Sequence, residues 1–245
     1  MAGHSHWKTI KRAKGATDAK RGKVWSKIAR KIIIAAKAGG GNPGENLSLR
    51  YVIDEARAAN MPKDTIEKAI MKGTGELGAE NYEAAMYEGY GPGGVAIIIE
   101  ALTNNRSRTA PDLRKIFEFN GGNLATTGSV AFQFTKQGII AIRSDAVAED
   151  QLLELALEAG AEDVRNEGEV YSVITTPVMF HKVKESLAGA KIPVEAAEIT
   201  FLPNSTIAIE GEQAKHVLKL LDELEDNDDV QNVAHNAEIP ESVTA

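Results

Sequence analysis

Cysteine is absent from all 245 residues, which excludes a disulfide framework, a thiolate metal site and a cysteine nucleophile. Long apolar runs are missing too. The longest lie around Ile32 to Ala36 and Val95 to Ile99, far short of the roughly 18 residues a membrane span needs, so no membrane partner is expected. No phosphate-binding GxxxxGK[ST] loop, HExxH helix, nucleophile elbow or kinase set occurs, and an enzyme is not expected. Metal ligands are sparse: His4 and His6 form one HxH without further ligands, while His181, His216 and His235 fall on separate elements. No cofactor is implied. The start lacks the apolar core of a secretory signal, because Lys8 and Lys11 arrive before one forms, and the expected location is the cytoplasm.

What the chain has is an ordinary globular composition, 43% apolar and 26% charged, over a length that suits two or three domains. Its net charge of −7 conceals a strong asymmetry. Residues 1–37 carry 11 Lys/Arg against the single acid Asp18, whereas residues 79–245 carry 12 basic and 28 acidic groups. Such a cationic segment on an acidic body points to a polyanionic partner, and nucleic acid is the natural one.

Periodicity organises the rest. A helix is expected from an N-cap at Thr17 to a stop at Gly39, with Val24, Trp25, Ile28, Ile32, Ala35 and Ala36 on one arc. Lys20, Lys23, Lys27, Arg30 and Lys31 fall opposite, and Ile34 sits among them without an evident partner. Two more helices follow, from Asn46 to Ala59 and from Pro62 to Gly73, separated by Asn60-Met61-Pro62. They resemble a helix-turn-helix, but the second mixes Lys63, Lys68 and Lys72 with Asp64 and Glu67 and has few amides to read base edges. Two helices closing a small core is the better reading.

Beyond residue 82 strands and helices alternate. The order from 135 to 203 is βαββαβ, as in ferredoxin-like folds. A further strand-helix-strand at 206–235 lacks a partner, as does the region 82–134, where strands are expected at Tyr82 to Tyr90, Val95 to Leu102 and Val130 to Phe134. The fold class is therefore α+β with three domains. These are a helical one at 1–75, a discontinuous middle one at 82–134 and 204–240, and a ferredoxin-like one at 135–203 inserted into it.

Phosphate oxygens need donors at repeated spacing, and lysines on successive helical turns supply them at roughly 5 Å intervals. The candidate contacts are Lys20, Arg21, Lys23, Lys27, Arg30 and Lys31 on the helix, with Lys8, Lys11, Arg12 and Lys14 before it. If about six of them meet phosphates, affinity falls on the order of 10³-fold between 50 and 200 mM salt. Gly89-Tyr90-Gly91-Pro92-Gly93-Gly94 matches GxGxxG, but strand rather than helix follows, so it is a hairpin whose exposed tip can approach a nucleic-acid backbone, not a dinucleotide site. Arg106 and Arg108 at a helix N-terminus suit either a phosphate or surface ion pairs with Asp112 or Glu88 beside polar caps. Phe132 and Phe134 share a strand face with Val130 and read as core rather than as RNA-stacking rings. The acidic run Asp222 to Asp229 lacks the glycine and final glutamate of a calcium loop. It reads by default as a solvated helix end, or as a partner of the basic helix when nucleic acid is absent.

Taken together, AGHSHW at Ala2 to Trp7, DAKRGK at Asp18 to Lys23, the NMP break, YEGYGPGGVA at Tyr87 to Ala96, NNRSRT at Asn104 to Thr109, GGNL at Gly121 to Leu124 and DDVQNV at Asp228 to Val233 resemble the YebC/PmpR family. The resemblance spans essentially the whole chain. It implies a helical domain followed by two α+β domains, and a non-enzymatic regulator of gene expression. Members are described as DNA-binding transcriptional regulators. Related proteins, among them a mitochondrial translational activator, are ribosome-associated and help synthesis through proline-rich stretches. The implied partner is thus ribosomal RNA, and the ribosome with it, or DNA. Many members carry Lys where this chain has His6, which implies one phosphate contact fewer at neutral pH.

Overall fold

The computed structural model describes residues 21–78 and 80–240, with Arg21 by its backbone. The fold is α+β, a helical N-terminal domain followed by two α+β sheet regions. The described residues up to Ser129, together with Lys215–Val233, form one compact unit; Val130–Ala214 and the described residues from Ala234 form another.

In the first unit, α1 (Arg21–Gly39), α2 (Leu47–Ala58) and α3 (Lys63–Thr74) close a single apolar core. Ile28, Ile32, Ala35 and Ala36 of α1 meet Leu49, Ile53 and Ala56 of α2 and Ile66 and Ala69 of α3, the helical spacing read from the sequence. The buried arc of α1 is nonetheless shifted. Val24 is exposed, and Ile33, outside the expected arc, is buried. The reason is a close approach of α3: a Cβ on Gly73 would lie 2.6 Å from the Ile33 carbonyl oxygen and 2.7 Å from Ala36 Cβ. Ile34 is half-buried. Asn46 joins the first two helices. Its Oδ1 accepts from Leu49 N at 3.1 Å as an N-cap, while its Nδ2 donates to the carbonyls of Ala35 and Gly40 at 2.7 and 2.8 Å, occupying acceptors that the end of α1 leaves open. Trp25 Nε1 likewise donates to Ala59 O at 3.0 Å. The two helices after α1 therefore serve a core.

The same unit holds a four-stranded sheet in the order β3-β1-β2-β9, built from β1 (Glu83–Tyr90), β2 (Ala96–Thr103), β3 (Asn123–Ala125) and β9 (Val230–His235). The β1–β2 hairpin is antiparallel, with Glu83 opposite Thr103 and Tyr90 opposite Ala96. Helix α4 (Arg106–Phe119) follows β2, and α7 (Gly211–Asp226) precedes β9. Phe117 of α4 is fully buried against Gly89 and Gly122, where a Cβ would come within 2.5 and 3.1 Å of its ring.

In the second unit, β4 (Phe134–Arg143), α5 (Glu149–Ala159), β5 (Asp163–Asn166), β6 (Val170–Thr175), α6 (Phe180–Gly189) and β7 (Ala196–Pro203) follow the expected βαββαβ order. Their sheet runs β5-β6-β4-β7, every neighbouring pair antiparallel, which is the ferredoxin-like arrangement. Ile140, Ile142, Tyr171 and Val173 pack on Leu152, Ala156, Phe180, Val183 and Leu187 of the two helices.

Three expectations need correction. The strand read at Val130 to Phe134 is a short 3₁₀ turn at Ala131–Gln133, with Phe134 opening β4. Because that turn breaks the two-residue alternation, Phe132 is 73% exposed while Val130 and Phe134 are buried, so Phe132 is not core. The strand β3 was not read from the sequence, its three residues being too few to show a period. The first strand of the strand-helix-strand expected at 206–235 is only β8 (Ile207–Ala208), which pairs in parallel with β10 (Ala237–Glu238) and joins neither large sheet.

Candidate nucleic-acid interface

The cationic face of α1 is formed as the sequence suggests, and every cation described on it already holds an oxygen of the same chain. Helix α7 ends at Asp226 with carbonyls that have no later turn to bond them. Lys27 Nζ donates to Glu225 O at 2.6 Å and Lys23 Nζ to Asp226 O at 3.2 Å, with the Asp226 carboxylate 3.7 Å from Lys23. Positive groups at a helix C-terminus also complement its dipole, offsetting the acids that the sequence places there. One turn further along α1, Arg30 Nη2 lies 3.4 Å from Asp229 Oδ1, and its guanidinium sits over the Tyr82 ring at 5.5 Å. Lys31 donates to Glu55 Oε1 of α2 at 2.7 Å. The acidic run is thus a partner of the basic helix and not merely a solvated end.

Burial pulls the Lys27 ammonium below its ordinary pKa against the opposing influence of Glu225, Asp226 and Asp228. Asp229 is the hub. It is only 4% exposed, and its Oδ2 accepts from Thr109 Oγ1 at 2.6 Å, Arg108 Nη2 at 2.7 Å and Thr103 Oγ1 at 3.3 Å. Its backbone carbonyl accepts from Leu102 N at 2.8 Å, tying the segment to β2. Burial alone would raise the Asp229 pKa. Hydrogen bonds from Thr109 and Arg108 and the charges of Arg108 and Arg30 outweigh it and hold the carboxyl below its ordinary value.

The two arginines at the start of α4 are therefore occupied. Asn105 caps the helix, its Oδ1 accepting from Arg108 N at 3.2 Å. Arg106 Nε pairs with Glu83 at 2.9 Å and Nη2 donates to Ala84 O at 3.0 Å. The ion-pair partners are Glu83 and Asp229, not the expected Asp112 or Glu88, because β1 and the α7–β9 turn flank the start of α4. Glu88 is buried and accepts from Gly128 N at 2.7 Å.

The GxGxxG stretch is a hairpin, Pro92–Gly94 forming a 3₁₀ turn with Gly93 and Gly94 at φ of 74° and 78°. Only Gly93 and Gly94 are exposed. Gly89 and Gly91 are buried, Tyr90 and Pro92 half-buried, and Tyr90 Oη donates to Ser129 O at 2.9 Å. The exposed tip is narrower than the motif. Lys8, Lys11, Arg12, Lys14, Lys20 and His6, with the N-cap read at Thr17, lie outside the described residues, as does the Arg21 side chain. Sequence reasoning had Asp229 within the acidic run that pairs with the basic helix but did not single it out as the hub, and it missed the part played by Thr103 and Thr109, two hydroxyls more than a hundred positions from the acid they bond. Among the described residues no group of three or more His, Asp or Glu is placed to hold a metal, and no helix is long and apolar enough to cross a membrane.

These features define an α+β protein with a cationic three-helix module ahead of two sheet regions. Residues 5–76 match the TACO1/YebC protein N-terminal domain, and residues 82–237 match the TACO1/YebC second and third domain. The chain belongs to the TACO1/YebC family. It is 53% identical over 245 residues to a probable transcriptional regulatory protein of Acidithiobacillus ferrooxidans, covering 100% of this chain and 98% of the relative. A protein of the same description from Treponema denticola is 52% identical over 241 residues, 98% of each chain. The crystal structure of a conserved hypothetical protein from Aquifex aeolicus superposes with a TM-score of 0.82 at 48% identity, covering 91% of this chain and 92% of that one.

Proposed function

We propose that this chain is a non-enzymatic, cytoplasmic regulator of gene expression whose α1 cations dock on structured RNA, the ribosomal RNA that ribosome-associated members of the family meet when they ease synthesis of proline-rich stretches. The observation that carries this reading is the run Lys23, Lys27 and Lys31 on successive turns, each within 2.6 to 3.7 Å of an oxygen, with the enclosed Arg30 anchoring the helix to Asp229 beside them. That is the repeated donor spacing a phosphate backbone requires. Secondary contacts fall to the Gly93-Gly94 tip and to Arg106, which is exposed, while Arg108 serves the buried Asp229.

The relatives' description as probable transcriptional regulatory proteins favours a second reading, promoter DNA met by the same helix. Against it stands α3, committed to the core and carrying mixed charge, so base edges have no obvious reader. Crosslinking in cells with sequencing of the bound nucleic acid separates the two. One ribosomal RNA region supports the first reading, and an enriched promoter motif replaces it with the second.

A further inference from the structure

Resting on that nucleic-acid reading, we propose that the acidic end of α7 is a built-in competitor for the α1 face: Glu225, Asp226 and Asp228 occupy the ground that a phosphate backbone takes, and binding exchanges them for phosphates. The latch has a loose part and a firm part. Lys23 and Asp226 are both about half exposed, with side-chain accessibilities of 46% each, so this pair is screened by solvent and readily exchanged. Arg30 and Asp229 are enclosed, at 14% and 5%, and Asp229 is further held by Arg108, Thr109 and Thr103. Release therefore starts at the Lys23 end of α1, while the Arg30 end keeps the three-helix module attached. Lys27 lies between them, bonded to a main-chain carbonyl rather than to a carboxylate, and becomes free once the α7 end moves away. An anion offering several oxygens in a row replaces several weak contacts together. A single anion replaces only one, so the latch favours a polymer over free phosphate.

The test uses the full chain with a labelled poly(U) strand and a labelled DNA duplex as probes. One variant combines Glu225→Gln, Asp226→Asn and Asp228→Asn, leaving Asp229 in place. A control with the same change of net charge combines Asp150→Asn, Glu154→Gln and Glu158→Gln on α5. The first should bind on the order of ten-fold more tightly than the unmodified chain, and the control within about two-fold of it. A latch variant that gains no more than the control overturns the competitor. If it fails in that way while Lys23→Ala/Lys27→Ala still weakens binding, the α1 surface stands without its latch. If the lysine variant binds both probes as the unmodified chain does, the nucleic-acid reading of α1 falls, and the latch with it.

Discussion

Arg108 Nη2 donates to Asp229 Oδ2 at 2.7 Å across 121 positions of sequence, linking the first turn of α4 to the turn that follows α7. Because Arg30 of α1 reaches the other oxygen of the same carboxylate, one acid anchors three elements.

Removing it should be costly. Asp229→Ala leaves the enclosed Arg30 guanidinium without its counter-charge, and a loss of about 3 kcal/mol is expected, read from the urea midpoint. Arg106→Ala, which removes an exposed pair with Glu83 and an exposed bond to the Ala84 carbonyl, should shift that midpoint by much less.

The same carboxylate makes stability depend on pH. Its folded pKa lies below its ordinary value of 3.8, so the stabilisation is fully present above that value and is lost as pH falls through the lower, folded pKa. Thermal melts of the unmodified chain should fall off on acidification through that window. In Asp229→Asn the fall should be shallower, from a lower starting point, and an unchanged slope would exclude Asp229 as its source.

Gly89→Ala tests the packing of Phe117. The added Cβ would meet the Phe117 ring at 2.5 Å and the Asn123 carbonyl oxygen at 2.8 Å, and the second contact is main chain that cannot rotate away. A loss of about 1 to 3 kcal/mol is expected from chemical denaturation. Gly94→Ala has open space at its Cβ but a φ of 78°, so its smaller cost should come from the backbone alone.

Charge reversal at Lys23 and Lys27 should weaken binding to RNA and DNA alike and lower the slope of log affinity against log salt by roughly 2. Affinity measured from 50 to 200 mM salt gives that slope directly. A slope equal to that of the unmodified chain would remove both lysines from the interface.

Much of this architecture was legible in the sequence, for identifiable reasons. The helices of the first domain follow from residues such as Leu49, Ile53 and Ala56, whose spacing is set by the helix itself. The βαββαβ order followed from alternation of elements, and the sheet order agrees with it. Phe132 was misread because its alternation with Phe134 was interrupted by a turn that side-chain polarity does not announce. At the site, the basic face of α1 was visible as a run of like charge. The partners of Arg106 and Arg108 were not. Glu83 and Asp229 are brought to them by the β1–β2 hairpin and the α7–β9 turn, and an ion pair of that kind leaves no local period.

The outer position of β9 beside β2 has a bearing on biosynthesis. Strand β2 ends at Thr103, yet its neighbour begins at Val230, so the earlier sheet stays unfinished until more than a hundred further residues have left the ribosome. During that interval β2 presents an unpaired apolar margin including Ile97, Ile98 and Ile99, an invitation to mispairing with other nascent chains. Truncations that stop before Val230 should accumulate in the insoluble fraction.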